Sequence, residues 1–210
     1  GPDDVLIDQA NNLDVSQTLT AINNCDATAE NNAVSSNPGA ANFIDSITQD
    51  NDANGDGFAQ IFQSNDATIV QTANLLNSCG ESGAGVSNVV CDNDSDPVLD
   101  FHNLIGPIEQ SNTALATGNT VATQSNVIDV SQNLQGTNDC DEANTGDNNA
   151  EGSTEIFNNI DSITQTNSIT DVTDSQSNVF TVNQDIVATN NCDESGLGDN
   201  NAVCSITWSN

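Results

Sequence analysis

The 210-residue chain carries 31 aspartates and glutamates, one histidine and neither lysine nor arginine, for a formal charge of -31. That balance makes nucleic acid and anionic membrane surfaces poor partners, and it removes Schiff-base lysines, arginine phosphate clamps, buried ion pairs and lysine isopeptide cross-links. Hydrophobic residues make up 35% and aromatics 3%, a composition close to that of disordered chains unless a repeated local pattern organises it.

Such a pattern runs from end to end. Residues 1–8 read as an N-terminal strand, with Gly1-Pro2 either a natural processed end or a cleavage scar. Four ungapped copies of one segment follow: QANNLDVSQTLTAINNC (9–25), QSNDATIVQTANLLNSC (63–79), QSNVIDVSQNLQGTNDC (124–140) and QSNVFTVNQDIVATNNC (176–192). Their starts are 54, 61 and 52 residues apart, the differences falling in connecting segments. Each copy reads Gln-x-Asn-x-apolar-x-apolar-x-Gln and closes on Asn-x-Cys, at Asn23, Asn77, Asn138 and Asn190 with Cys25, Cys79, Cys140 and Cys192. A shorter motif separates the copies: IDSITQDN (44–51), IGPIEQSN (105–112) and IDSITQTN (160–167), with SITWSN (205–210) aligning so that Trp208 takes the glutamine position. The organisation predicted is a single repeat domain over 1–210, with units at 9–62, 63–123, 124–175 and 176–210.

Val, Ile, Thr and Phe recur at period two, and no window sustains a helical period. Turn chemistry falls between the periodic segments, at Asn37-Pro38-Gly39, Asn54 to Gly57, Gly80 to Gly85, Asp96-Pro97 and Gly196-Leu197-Gly198. The expected fold is all-β and β-solenoid-like, with four internal repeats. The alternative is two pseudo-symmetric halves packed as a β-sandwich and assembled by strand donation.

Alternation sets the amides on the face that carries the aliphatics. Gln9, Asn11 and Gln17 share a face with Leu13, Val15 and Leu19, while Asp14, Asp66, Asp129 and Asp185 fall on the other. Stacked in register about 4.8 Å apart, an amide donates to its equivalent on one side and accepts from the other. This avoids the cost of about 1 to 3 kcal/mol for each unpaired buried polar group. The ladder residues expected are Gln9, Asn11 and Gln17; Gln63, Asn65 and Gln71; Gln124, Asn126 and Gln132; and Gln176, Asn178 and Gln184.

On these residues the chain resembles the curlin family of extracellular fibre subunits, whose repeats carry Gln and then Asn-x-Ala-x-x-x-Gln. Asn65 to Gln71 matches the second part, and Asn11 to Gln17, Asn126 to Gln132 and Asn178 to Gln184 match it with Leu, Ile or Phe in place of Ala. The resemblance spans about a third of the chain and implies a secreted, self-assembling, β-rich fibre. The unit here is longer, and the recurring cysteine has no curlin counterpart.

Six cysteines suggest disulfides and an oxidising compartment outside the cell. Cys79 and Cys91, and likewise Cys192 and Cys204, are twelve residues apart, and local bonds there would each contribute about 2 to 3 kcal/mol. The positions matching Cys91 and Cys204 lie near Ser35 and Gly152, which leaves Cys25 and Cys140 without assigned partners. In a solenoid those two stand about 9.6 Å apart, beyond the roughly 7 Å a disulfide spans. A bond between them favours the sandwich, free or intermolecular thiols favour the solenoid, and adjacent pairs Cys25-Cys79 and Cys140-Cys192 also fit.

DNDANGDG (50–57) places Asp50, Asp52, Asn54 and Asp56 like the first half of a calcium loop, with Ile61 where a bidentate glutamate belongs. CDNDSD (91–96) is a weaker candidate, and no other cofactor is suggested. Asn93-Asp94-Ser95 is a glycosylation sequon. His102, beside Phe101, reads as a packing or surface residue, and no constellation points to catalysis. No stretch approaches the ~18 apolar residues of a membrane helix, and no signal segment opens the chain, which reads as mature or trimmed.

The function expected is a non-enzymatic subunit of an extracellular, cell-surface filament that polymerises with copies of itself, without nucleic acid or membrane insertion, and with glycans as the added chemistry. Val5, Leu6, Ile7, Ile206 and Trp208 are the expected subunit contacts. The alternative is a monomeric extracellular adhesin or calcium-binding repeat module.

Overall fold

A computed structural model of the chain describes residues 5–28, 32–36, 41–83, 87–92, 101–118, 120–144, 148–170, 173–196 and 200–209. These residues are all-β, and every strand pairing among them is parallel. The long strands β1 (Val5–Thr28), β5 (Ala59–Gly83), β9 (Val121–Asn144) and β12 (Thr173–Gly196) form sheet A in that order. Sheet B places β2 (Asn32–Ser36) and β3 (Ala41–Ile44) at one edge, then β6 (Ser87–Asp92) and β7 (Phe101–Ile105), then β10 (Asn148–Ile160), then β13 (Asn200–Ser209). Sheet C holds β4 (Ile47–Asp56), β8 (Ile108–Thr117) and β11 (Ile163–Thr170).

Sheet A lies across from sheets B and C, and the inward side chains of both layers meet between them. The sequence alternation makes this possible: in β5, Ile61, Gln63, Asn65, Ala67, Ile69, Gln71, Ala73 and Leu75 are all buried, while the residues between them are exposed or half-buried. The core is therefore a series of apolar clusters separated by amides. One cluster centres on Ile47, Ile69, Ile105, Ile108, Ile128 and Val130. A second joins Ala53, Ile61, Ala114 and Ala122, and a third Ala73, Leu75, Leu134 and Ile156.

Register follows the repeated segments. Gln9 pairs Gln63, Gln63 pairs Gln124, and Gln124 pairs Gln176, each with its whole segment in step. Because β5 pairs β9 along its length, the second half of the chain continues the sheets of the first half rather than packing against it as a sandwich partner.

Three sequence expectations change. The Asn54 to Gly57 turn begins later, because β4 runs on to Asp56 and the chain bends at Gly57, whose φ of +83° suits glycine. Gly118, at the matching bend after β8, has φ +92°. The run from Gly80 likewise stays extended to Gly83. SITWSN does not join the glutamine column of sheet C: β13 pairs β10, with Ile206 beside Thr154 and Trp208 beside Ile156. The longer pairing through Asn200 to Ser209 outweighs the short motif match. The turns at Asn37-Pro38-Gly39, Asp96-Pro97 and Leu197-Gly198, and the Asn93 sequon, lie outside the described residues.

The corner between sheets B and C stacks backbone on backbone. Gly106 donates to Ile44 O at 2.8 Å, and a Cβ added there would lie 1.7 Å from Asp45 O. Gly106→Ala therefore forces the two corners apart. A loss of about 1 to 3 kcal/mol is expected, measured by chemical denaturation followed by circular dichroism. An unchanged midpoint would show that the corner does not hold the adjacent strands in register.

Candidate functional site

The amides of the core join into columns that run across the strands. Gln63 Nε2 donates to Gln9 Oε1 at 2.9 Å, Gln124 to Gln63 at 2.8 Å and Gln176 to Gln124 at 3.3 Å. Gln71 donates to Gln17 at 2.8 Å, Gln132 to Gln71 at 2.9 Å and Gln184 to Gln132 at 2.7 Å. In the asparagine column the direction reverses: Asn11 Nδ2 donates to Asn65 Oδ1 at 2.9 Å, Asn65 to Asn126 at 3.0 Å and Asn126 to Asn178 at 3.0 Å. All twelve ladder residues expected from the repeats are thus paired in the columns expected of them.

The opposite layer supplies further columns. Gln110 donates to Gln49 at 2.7 Å and Gln165 to Gln110 at 3.0 Å. Asn51 donates to Asn112 and Asn112 to Asn167, both at 3.0 Å. Asn42 donates to Asn103 at 2.8 Å and Asn103 to Asn158 at 2.9 Å. The Gln49 and Asn51 columns sit in the short motif whose recurrence was legible. The Asn42 column was not anticipated, although Asn42-Phe43-Ile44, Asn103-Leu104-Ile105 and Asn158-Asn159-Ile160 carry an Asn-x-Ile signal.

The two layers are tied together at the asparagines. A zigzag runs in chain order from Asn11 through Asn51, Asn65, Asn112, Asn126 and Asn167 to Asn178, each donating to the Oδ1 of the next at 2.8 to 3.1 Å. The amide nitrogens also donate to facing backbone carbonyls, as from Gln9 to Asp52 and from Asn126 to Thr166, so that interior asparagines such as Asn126 share two hydrogens among three acceptors. The interior amides Asn65, Gln71, Asn126 and Gln132 are completely inaccessible.

The other sequence candidates are dispersed. Asp50, Asp52, Asn54 and Asp56 occupy alternate positions of the extended strand β4, which holds successive ones about 6.8 Å apart. A straight strand does not curl around an ion, so the loop geometry assumed for calcium is not the geometry found. No group of three or more His, Cys, Asp or Glu side chains among the described residues is placed to hold a metal. His102 stacks on Phe157 at 4.7 Å between ring centres, with its Nδ1 buried and unpartnered.

Cys25, Cys79, Cys140 and Cys192 align on consecutive strands of sheet A, and Ser35, Cys91, Gly152 and Cys204 align in sheet B. Their side chains, and with them the pairings Cys79-Cys91 and Cys192-Cys204, lie outside the described residues, as do the side chains of Asp56, Ile206 and Trp208. Val5 and Leu6 are exposed on β1, an edge strand of sheet A, with Ile7 half-buried beside them.

No helix among the described residues is long and apolar enough to cross a membrane. Comparison with protein-family models, with curated proteins and with solved structures returns no match.

Asn126 probes the ladder directly, since it shares its two amide hydrogens among Thr166 O, Asn167 Oδ1 and Asn178 Oδ1 and accepts from Asn65 and Asn112. In Asn126→Asp the buried carboxylate faces carbonyl oxygens, so its folded pKa rises above the unfolded value of about 3.9. The penalty is complete above the raised pKa and shrinks as pH falls towards about 3.9. Denaturation at neutral pH should show a loss of about 2 to 4 kcal/mol, partly recovered in acid. Asn74→Asp, outside the core columns, should change stability by no more than about 0.5 kcal/mol.

Proposed function

We propose that the chain is a four-unit β-solenoid whose open ends make it a structural, non-enzymatic subunit of an extracellular filament. The observation that carries this reading is that the amide columns run the full width of sheet A and stop at its two edge strands with their hydrogen-bonding capacity unfilled. Gln9 and Gln17 each use one amide hydrogen, on Asp52 O and Phe43 O, and make no second donation among the described residues. At the far edge, Gln176 and Asn178 are exposed.

Three further observations support polymerisation over a monomeric fate. Both edges of sheet A are long strands without lysine, a residue that commonly blunts such edges. On the inward column Leu13, Ala67, Ile128 and Phe180, exposure passes from 0% at Ile128 to 65% at Phe180 on the β12 edge. The resemblance of the Gln and Asn spacing to curlin repeats points the same way, and the cysteine content is the basis for an extracellular location.

Charge opposes assembly, because every added copy brings a formal charge of -31. Purified material is expected to form filaments in the electron microscope, with a fibre-diffraction spacing of about 4.8 Å along the axis. Raising ionic strength from about 0.01 M to 0.15 M, which shortens the screening length from about 30 to 8 Å, should speed assembly. Monodisperse single particles at high concentration across that range would sink the proposal and favour a monomeric adhesin.

A further inference from the structure

Resting on that filament reading, we propose that a second copy of this chain docks head to tail, its β1 edge against β12, in the register Gln9 on Gln176, Asn11 on Asn178 and Gln17 on Gln184. The filament is consequently polar. The opposed directions of the ladders carry the inference. Both glutamine columns of sheet A donate towards β1, so Gln9 and Gln17 present spare N–H donors there, and Gln176 and Gln184 present Oε1 acceptors at β12. The asparagine column donates towards β12, leaving Asn11 Oδ1 as the acceptor and Asn178 Nδ2 as the donor.

Along β1 the outward amides therefore read donor, acceptor, donor; along β12, at the same spacing, they read acceptor, donor, acceptor. Each column continues across the junction without reversal. Pairing two β1 edges antiparallel about Leu13 instead sets Gln9 against Gln17, donor on donor, and strands Asn11 against Val15. Two like edges do not complete one another, and a heterologous contact that does not close propagates.

Over the central part of the strands the outward face agrees with the same register, whereas at their C-terminal ends it sets Asp26 against Asp193. Asp14 and Asp129 alternate with Thr68 and Thr181 in one column, which separates like charges by about 9.6 Å rather than 4.8 Å. Docking β1 on β12 extends that alternation, with Asp14 meeting Thr181, Asp8 meeting Ser175 and Asp185 meeting Thr18. On the inward face Phe180 meets Leu13, which covers the most exposed apolar side chain of the β12 edge. Sheet C, with three described strands to the four of sheet A, is not required for the contact.

The test uses the full chain. Gln17→Glu keeps the oxygen that accepts from Gln71 but removes the outward donor together with the hydrogen bond to Phe43 O. Asn178→Asp keeps the oxygen that accepts from Asn126 and Asn167 but removes the donor at the opposite edge together with the hydrogen bond to Gln165 O. Thr20→Glu adds the same charge on the exposed face of β1, away from the ladder and opposite the neutral Val187 in the docked register. Seeded elongation, followed by light scattering with monomer melting as the control for folding, is expected to slow about ten-fold for the two ladder variants, the worth of roughly one hydrogen bond. Thr20→Glu should stay within about two-fold of wild type. Below about pH 4 the protonated carboxyl of Gln17→Glu or Asn178→Asp regains one hydrogen of the amide's two, shared between the inner carbonyl and the docked copy, and each rate should rise back towards the wild-type value at that pH.

Wild-type growth from labelled seeds capped with Gln17→Glu should proceed from one end, and from the other end with Asn178→Asp. The subunit repeat along the axis should be about 19 Å, four strand spacings. Filaments in which both ladder variants behave like Thr20→Glu, or in which each variant blocks both ends, overturn the polarity while leaving the filament reading intact. A wild type that never assembles overturns both.

Discussion

A buried primary amide has more hydrogen-bonding capacity than its own strand can satisfy, because the adjacent backbone groups are committed to the sheet. In this chain the deficit is met by placing an identical amide one strand away on either side. Burying Asn65 and Gln71 completely is tolerable only under that condition, at about 1 to 3 kcal/mol for each group otherwise left unpaired. The same condition selects the register: a slip of two residues sets Asn11 against Ala67, Val15 against Gln71 and Gln17 against Ala73, so alignment is held by polar complementarity as well as by apolar packing. A chain with few aromatics and neither lysine nor arginine can thereby build an ordered interior from short aliphatics and amides.

The solution has a direction. Columns of donors and acceptors cannot end neutrally; they end in a surplus of one kind, and here adjacent columns end in opposite kinds. The two edges of sheet A therefore differ chemically although they are built from copies of one segment. Acidic side chains, banished to the outer face by the same alternation, are spaced along the Asp14 column by neutral residues. That arrangement reconciles stacked strands with a heavily negative surface over the central part of the sheet.

Much of this was legible because the period of an extended strand is two and the repeats are long. Gln-x-Asn-x-apolar-x-apolar-x-Gln names the inward face and, through its recurrence, the neighbour of each amide. What misled were local signatures whose meaning depends on the path of the chain. The acids and amides from Asp50 to Asp56 look like a cation loop in one dimension, yet they fall along a straight strand because Ile47, Gln49, Asn51 and Ala53 beside them are claimed by the core. SITWSN resembles the sheet C motif, but the residues before it pair with β10 and carry Trp208 to a position beside Ile156. The Asn42 column escaped notice because its strands are short and the repeating unit there is only Asn-x-Ile.

The amino-acid sequence by itself determined the all-β class, the inward placement of amides and the equivalence of the four segments, since each follows from strand geometry and recurrence alone. Only the tertiary structure decided which layer faces which, how sheets B and C divide the return path, and which way each column donates. Those outcomes depend on contacts between residues roughly ten to sixty positions apart. An amide names no preferred direction until the carbonyl across the core, as Thr113 O does for Gln63, claims one of its hydrogens and leaves the other for the next strand.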